Sequence, residues 1–141
     1  REAFGDPEAF MDDFFSVAYD ESRCRTVRKD GKTVSALYWF DVDMGTQRLA
    51  YLYGVATLNA YRGQGIAAYL IEKTCKELQE KGYSGVILVP GSARLFEYYR
   101  RLSFFACTTI AQCECPAEGK TFLRPVSAEE YATLRRQLLP A

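Results

Sequence analysis

The spacing of apolar residues near the start of the chain predicts a helix. Five apolar side chains share one face of residues 7–18, namely Phe10, Met11, Phe14, Phe15 and Ala18. This spacing is typical of a helix with one buried side. Asp6 can act as its N-cap, Pro7 can take the first helical position, and the charge of Glu8 suits the first turn. We therefore expect a helix over residues 7–18.

The pattern then changes and predicts three antiparallel strands. Residues 23–28 and 33–42 flank Asp30-Gly31, a turn signal for a β-hairpin, and the second segment alternates apolar and polar positions with period two. Residues 49–58 are rich enough in aromatic and aliphatic side chains to form a third strand. Gly54 lies in the middle of that strand, where glycine often marks a β-bulge or a close approach of another backbone.

The second half of the chain returns to the helical period. A helix with a charged outer face is expected from Gln64 to a stop at Gly82. Residues 86–89 form a short apolar run, which is typical of a strand buried on both faces. Ser92 can cap the next helix. Its inner side is expected to carry Leu95, Phe96, Tyr99 and Leu102.

The last elements are two strands and a short helix. Residues 104–110 and 120–123 are expected to form a final pair of strands. Ser127 opens a capping-box sequence, Ser-Ala-Glu-Glu, so a C-terminal helix should follow it. The order of all these elements predicts an α/β chain of the α+β kind, with helices on the faces of one mixed sheet.

Charge and composition exclude several classes of function. The 141 residues contain 18 Lys and Arg against 18 Asp and Glu, and no His. Without a basic excess, nucleic acid is not an expected partner. No apolar stretch approaches the ~20 residues that span a bilayer, so we expect no membrane partner and a cytoplasmic location. Without histidine, neither Ser-His-Asp nor Cys-His catalysis is available.

The five cysteines are expected to be free thiols. Their number is odd, and a chain of this size does not need disulfides to fold. Cys113 and Cys115 could supply two soft ligands, but a tetrahedral zinc site needs two more. We therefore expect no metal.

Candidate chemistry lies where the third strand passes into the next helix. Residues 62–67 read Arg-Gly-Gln-Gly-Ile-Ala. Glycines at such a turn let the backbone approach a ligand, and the first N–H groups of the helix can bind a phosphate. The segment lacks the Gly-Lys-Ser/Thr of a P-loop and the third glycine of the dinucleotide fingerprint. Taken alone, it is equally compatible with a plain strand-to-helix turn.

Two segments together resemble the GNAT superfamily of acetyl-CoA-dependent N-acetyltransferases. Residues 55–67, VATLNAYRGQGIA, are similar to the family motif Arg/Gln-x-x-Gly-x-Gly/Ala, which Arg62, Gly65 and Ala67 match. The resemblance extends over residues 49–104. It implies the GNAT-like acyl-CoA N-acyltransferase fold, a mixed and mostly antiparallel sheet with helices on both faces and one splayed pair of strands.

The second segment supplies the candidate general acid. Residues 95–104, LFEYYRRLSF, are similar to the family segment Phe-Tyr-x-x-x-Gly-Phe, with Tyr99 at the tyrosine. Tyr98 replaces the phenylalanine and Ser103 replaces the glycine, which are departures from the family pattern. The resemblance implies that Tyr99 protonates the departing thiolate, because a phenol of pKa ~10 holds its proton at neutral pH. Without the resemblance, the favoured interpretation of Tyr99 is an amphipathic core residue with a satisfied hydroxyl.

The resemblance also implies which residues bind acetyl-CoA as the co-substrate. Backbone groups of the third strand would bond the pantetheine arm, and the following turn would hold the pyrophosphate. The implied cofactor-binding residues are Val55, Ala56, Thr57, Arg62, Gly63, Gln64, Gly65, Ile66, Ala67 and Ala68. The general base is unassigned, although Tyr51, Tyr53, Asp41 and Asp43 are candidates.

The predicted function is transfer of acetyl from acetyl-CoA to a primary amine of an unidentified small molecule or peptide. A non-catalytic acyl-CoA-binding or regulatory module is the alternative. Residues 1–125 are expected to form the acetyltransferase domain, whose first strand and helix would precede residue 1. Residues 126–141 would be a C-terminal helical extension, which could open a further domain or pack on a second subunit in a homodimer.

Overall fold

The computed structural model of the protein describes residues 7–109 and 124–138. The chain divides into two compact units between Phe105 and Ala106. The described elements of the first unit are α1 Glu8–Asp13, β1 Cys24–Lys29, β2 Lys32–Met44, β3 Gln47–Thr57, α2 Ile66–Glu80, β4 Gly85–Ile87 and α3 Ala93–Arg100. The second unit contains α4 Ala128–Leu138. The predicted domain boundary after residue 125 stays a prediction.

The four strands form one mixed sheet in the order β1-β2-β3-β4. The first three are antiparallel neighbours, and β4 pairs with β3 in parallel. A parallel pair needs a crossover connection, and α2 provides it. The prediction of a mixed, mostly antiparallel sheet is confirmed.

One face of the sheet packs against α2. Because side chains alternate along a strand, Leu37 and Trp39 of β2 point to this face. They form a buried cluster with Ala50 and Leu52 of β3, and with the α2 residues Leu70, Ile71 and Leu78. The side of α2 opposite its predicted charged outer face is therefore the buried one. The helix ends before Gly82, which has φ +83° as a helix stop requires.

The opposite face of the sheet carries an aromatic cluster around Phe14. Its ring centroid lies 5.3 Å from Tyr38, 6.4 Å from Phe40 and 5.8 Å from Tyr53. Phe14 begins a π-helical turn, Phe14–Ala18, that continues α1. The Tyr38 hydroxyl donates to Ala18 O at 2.8 Å and so fixes the end of this turn.

The helix predicted over residues 7–18 is thus helical from Glu8 to Ala18, but only Glu8–Asp13 is α-helical. Its last turn widens because the Tyr19 N–H donates to Phe14 O, a bond across five residues. Pro7 is the N-cap and not the first helical residue. Asp6, predicted as the cap, lies outside the described residues.

The expectations for β4 and for the inner side of α3 were each wrong in part. The strand expected over residues 86–89 spans Gly85–Ile87 and is only half-buried, because it lies at the edge of the described sheet. Leu95 and Phe96 of α3 are 37% and 55% exposed, so they do not form its inner side. Only the C-terminal end of this short helix reaches the core, where Tyr98, Tyr99 and Leu102 pack.

The final elements are described in part. Residues 104–109 form no regular strand, contrary to expectation, while residues 110 and 120–123 lie outside the described ranges. The C-terminal helix is confirmed as α4. Ser127 Oγ accepts the Glu130 N–H at 3.1 Å, as the capping-box pattern predicted.

Candidate active site

A β-bulge at Gly54 interrupts the pairing of β2 with β3. Ala36 pairs with Ala56 and Tyr38 pairs with Tyr53, so Leu37 alone faces both Gly54 and Val55. Gly54 has φ +61°, a left-handed conformation that costs a residue with a Cβ about 1–2 kcal/mol. The glycine that stood out in the sequence therefore marks a bulge, as predicted.

Before it reaches this bulge, β3 has already lost its other neighbour. Parallel pairing with β4 covers only Leu49 to Tyr51 of β3, which pair with Gly85 to Ile87. The Leu58 N–H donates to Val34 O of β2, so the backbone groups of Val55 and Thr57 face the opposite edge. That edge has no strand partner among the described residues. An extended ligand could pair with it there.

The turn after β3 leads from this open edge into α2. Arg62 Nε donates to Thr57 O at 3.1 Å and ties the turn to the strand. Gly65 is the N-cap of α2 with φ +74°, and a Cβ built on it would meet nothing within 4 Å. The backbone at this point is open to a ligand, as a phosphate-binding turn requires.

The first turn of α2 has free donors. Its first helical hydrogen bond runs from the Tyr69 N–H to Gly65 O at 3.0 Å, and no side chain caps the helix. The N–H groups of Ile66, Ala67 and Ala68 therefore have no intrahelical acceptor. Together with the helix dipole, they can bind an anion.

Ser35 is a supporting residue that sequence reasoning missed. Its side chain is buried, and its Oγ lies 2.9 Å from Ala56 O and 2.9 Å from Thr57 Oγ1. These contacts hold the end of β3 in place where pairing with β4 has stopped. An alternating strand gives no signal for such a role, because the partner lies on another strand.

Tyr99 lies at the end of α3 in a Schellman turn. The Phe104 N–H donates to Tyr99 O and the Ser103 N–H to Arg100 O, both at 3.1 Å. Ser103 has φ +66°, the conformation in which such a turn usually carries glycine. The rings of Tyr99 and Phe104 lie 5.7 Å apart, which is the hydrophobic contact of this motif. Ser103 thus keeps the turn that the family's glycine would favour.

The environment of Tyr99 keeps its hydroxyl protonated. Burial, with a smaller contribution from neighbouring Tyr98, raises the pKa of Tyr99 above its usual value. Tyr99 and Val55 both pack against the buried cluster, so the same core positions Tyr99 and this part of β3. The Tyr98 hydroxyl oxygen is buried without a hydrogen-bond partner among the described residues.

The carboxylate of Asp41 is committed to other partners. It accepts from Arg48 Nη2 at 2.9 Å, pairs with Arg23 Nη2 at 2.9 Å, and accepts from the Tyr83 hydroxyl. Partial burial raises the pKa of Asp41, but the hydrogen bonds from Tyr83 and Arg48 outweigh it and the net pKa is lowered. This carboxylate is therefore a poor proton acceptor at neutral pH.

The described ranges 7–109 and 124–138 offer no candidate metal centre. They contain no cluster of three or more His, Cys, Asp or Glu side chains that could hold a metal ion. Cys24, Cys75 and Cys107 are free thiols, and Cys113 and Cys115 lie outside these ranges. None of the helices in these ranges has the length and apolarity needed to cross a bilayer.

Comparison with known families identifies the family to which the chain belongs. The family pattern of the acetyltransferase (GNAT) domain matches residues 1–106. The chain therefore belongs to the GNAT acetyltransferase family, and the recognition made from its two motifs is confirmed. A comparison with curated proteins finds no match.

Solved structures of acetyltransferases share the fold at low sequence identity. An acetyltransferase of Trypanosoma brucei is 22% identical, with 76% of this chain and 77% of that chain covered and a TM-score of 0.56. A ribosomal-protein-alanine N-acetyltransferase of Brucella melitensis is 20% identical, with 74% and 80% covered and a TM-score of 0.59. An aminoglycoside acetyltransferase from an uncultured soil metagenomic sample is 18% identical, with 84% and 80% covered and a TM-score of 0.61.

Proposed function

We propose that the protein transfers an acetyl group from acetyl-CoA to a primary amine. The observation that carries this proposal is the edge of β3 beyond Gly54, where Val55 and Thr57 direct backbone groups away from β2 and pairing with β4 has already ended. The free N–H groups at the start of α2 follow directly along the chain. An open strand edge followed by an anion-binding turn suits the pantetheine arm and the pyrophosphate of one ligand.

Within this site, the residues divide the tasks of binding and proton transfer. Bound acetyl-CoA supplies the acetyl group as a reactive thioester. Backbone groups of Val55 and Thr57 bind the arm, and the residues from Gly63 to Ala68 bind the pyrophosphate. Arg62 holds the turn against β3 through its bond to Thr57 O. Tyr99, protonated because burial raises its pKa, donates a proton to the leaving sulfur.

The acceptor is a primary amine on a small molecule or a peptide. Two of the similar structures are named as an aminoglycoside acetyltransferase and a ribosomal-protein-alanine N-acetyltransferase, so one name is of a small-molecule acceptor and the other of a protein acceptor. These proteins share only the fold with this chain. They support the reaction class and leave the individual acceptor to experiment.

The test compares the protein with its Tyr99→Phe and Tyr98→Phe variants in an assay of thiol release from acetyl-CoA over a panel of primary amines. We expect Tyr99→Phe to lower kcat about 100-fold with little change in acetyl-CoA binding, since general acid catalysis contributes about 10² to 10⁴ in rate. Tyr98→Phe is the matched control and should keep full activity. Equal activity of the two variants would refute the role of Tyr99, and binding without amine-dependent release would favour a non-catalytic acyl-CoA module.

A further inference from the structure

The ammonium group of Lys29 lies beside the turn that precedes α2. Its Nζ is 3.4 Å from Gln64 Oε1 and 5.8 Å from the ring centroid of Tyr61. Lys29 ends β1, so the β1–β2 hairpin reaches across to the turn between β3 and α2. A 3.4 Å hydrogen bond to a neutral amide is long and weak. The lysine is therefore held near the turn with its charge still available.

This charge has no carboxylate partner within 4.0 Å in the described part of the chain, whereas several other cations there are paired. Arg25 and Lys81 pair with Glu77, and Arg48 pairs with Asp41. The unpaired lysine lies at the end of the sheet where α2 begins, next to the positive end of that helix. Positive charge accumulates here without an internal counter-ion among the described residues.

The hairpin places a second lysine directly opposite the first. Lys29 pairs with Lys32 across the two strands, and like charges in directly opposite positions destabilise a sheet. Asp30 is the one carboxylate in the turn between them, and no ion pair links it to either lysine. An anion bound beside Lys29 would relieve this repulsion.

We propose that Lys29 binds a phosphate group of the acyl-CoA co-substrate. The inference rests on the proposed cofactor site, because it places the phosphate between the Lys29 ammonium and the turn that ends at Gly65. Coenzyme A carries two such groups, its pyrophosphate and its 3′-phosphate, and both present the same chemistry to an ammonium group. The family motif covers the turn and α2 but not the hairpin, so it does not assign Lys29.

Calorimetric titration with coenzyme A tests the proposal on the protein and on its Lys29→Gln and Lys32→Gln variants. Both variants remove one positive charge from the same hairpin and relieve the same repulsion, so differences in folding cancel between them. We expect Lys29→Gln to raise Kd by about threefold to fivefold, the range for a partly exposed ion pair, and Lys32→Gln to change it less than twofold. The difference should shrink in about 0.5 M salt, which screens exposed charges.

A second titration with 3′-dephospho-coenzyme A identifies the phosphate. If the effect of Lys29→Gln disappears with this ligand, Lys29 binds the 3′-phosphate; if it persists, Lys29 binds the pyrophosphate. Equal Kd values for the protein and Lys29→Gln with both ligands would overturn the inference while leaving the cofactor site intact. Failure of the unchanged protein to bind coenzyme A would instead overturn the proposed function.

Discussion

Replacing Ser103 with glycine should stabilise the protein, because this serine occupies the left-handed position of the turn after α3. Its φ of +66° costs a residue with a Cβ about 1–2 kcal/mol relative to glycine. Glycine also makes the unfolded chain more flexible, which lowers the stability of the variant by about 0.4–1 kcal/mol and offsets part of this advantage. The net gain expected for Ser103→Gly is about 0.5–1 kcal/mol, which corresponds to a rise in Tm of about 2–3 °C.

Urea unfolding followed by circular dichroism measures this gain, with Ser103→Ala as the matched control. Alanine keeps the Cβ and loses only the hydroxyl, so it should not be more stable than serine. The Schellman bonds that hold Tyr99 are present with either residue, and acetyl transfer should not fall in Ser103→Gly. A glycine variant no more stable than the unchanged protein would refute the assignment of strain to Ser103, as would an equal gain from alanine.

Three further changes test other parts of the structure. Tyr98→Phe removes a buried hydroxyl that lacks a partner among the described residues and should raise the free energy of unfolding by about 1 kcal/mol in urea titration. The pKa of Glu77 is lowered to about 2, chiefly by its hydrogen bond from Arg25, so the stability it contributes is present above pH 4.5 and lost as pH falls towards 2. In thermal melts across that range, the Glu77→Gln variant should lose less stability as the pH falls. The difference expected for this part-exposed pair is about 1 kcal/mol. Gly65→Ala and Gly82→Ala strain the backbone alike, but only the former should also weaken acetyl-CoA binding in calorimetry.

The local signals in the sequence were sufficient for most of the fold. Period-two alternation and the Asp30-Gly31 turn predicted the β1–β2 hairpin, and Gly54 within an apolar strand predicted the bulge. The helical period from Gln64, with its charged outer face, predicted the buried side of α2. Each of these features depends on residues close together in the chain, so a periodic pattern reveals them.

Features that depend on distant contacts could not be predicted in the same way. The π-helical turn that begins at Phe14 ends where the Tyr38 hydroxyl binds Ala18 O. The apolar spacing of α3 suggested Leu95 and Phe96 as inner residues, but spacing does not say which end of a short helix reaches the core. The role of Lys29 could not be predicted from the sequence either. Its approach to Gln64, 35 residues further along the chain, depends on how the β1–β2 hairpin lies beside the turn before α2.

Thermal unfolding with and without about 1 mM acetyl-CoA tests the central claim most directly. A ligand that binds only the folded protein adds about 2.7 kcal/mol at 100 times its Kd, which for a domain of this size raises Tm by about 8 °C. We predict a rise of this order, and a clearly smaller rise for Gly65→Ala. An unchanged Tm across the acetyl-CoA series would contradict the claim that the open edge of β3 and the first turn of α2 form an acetyl-CoA site.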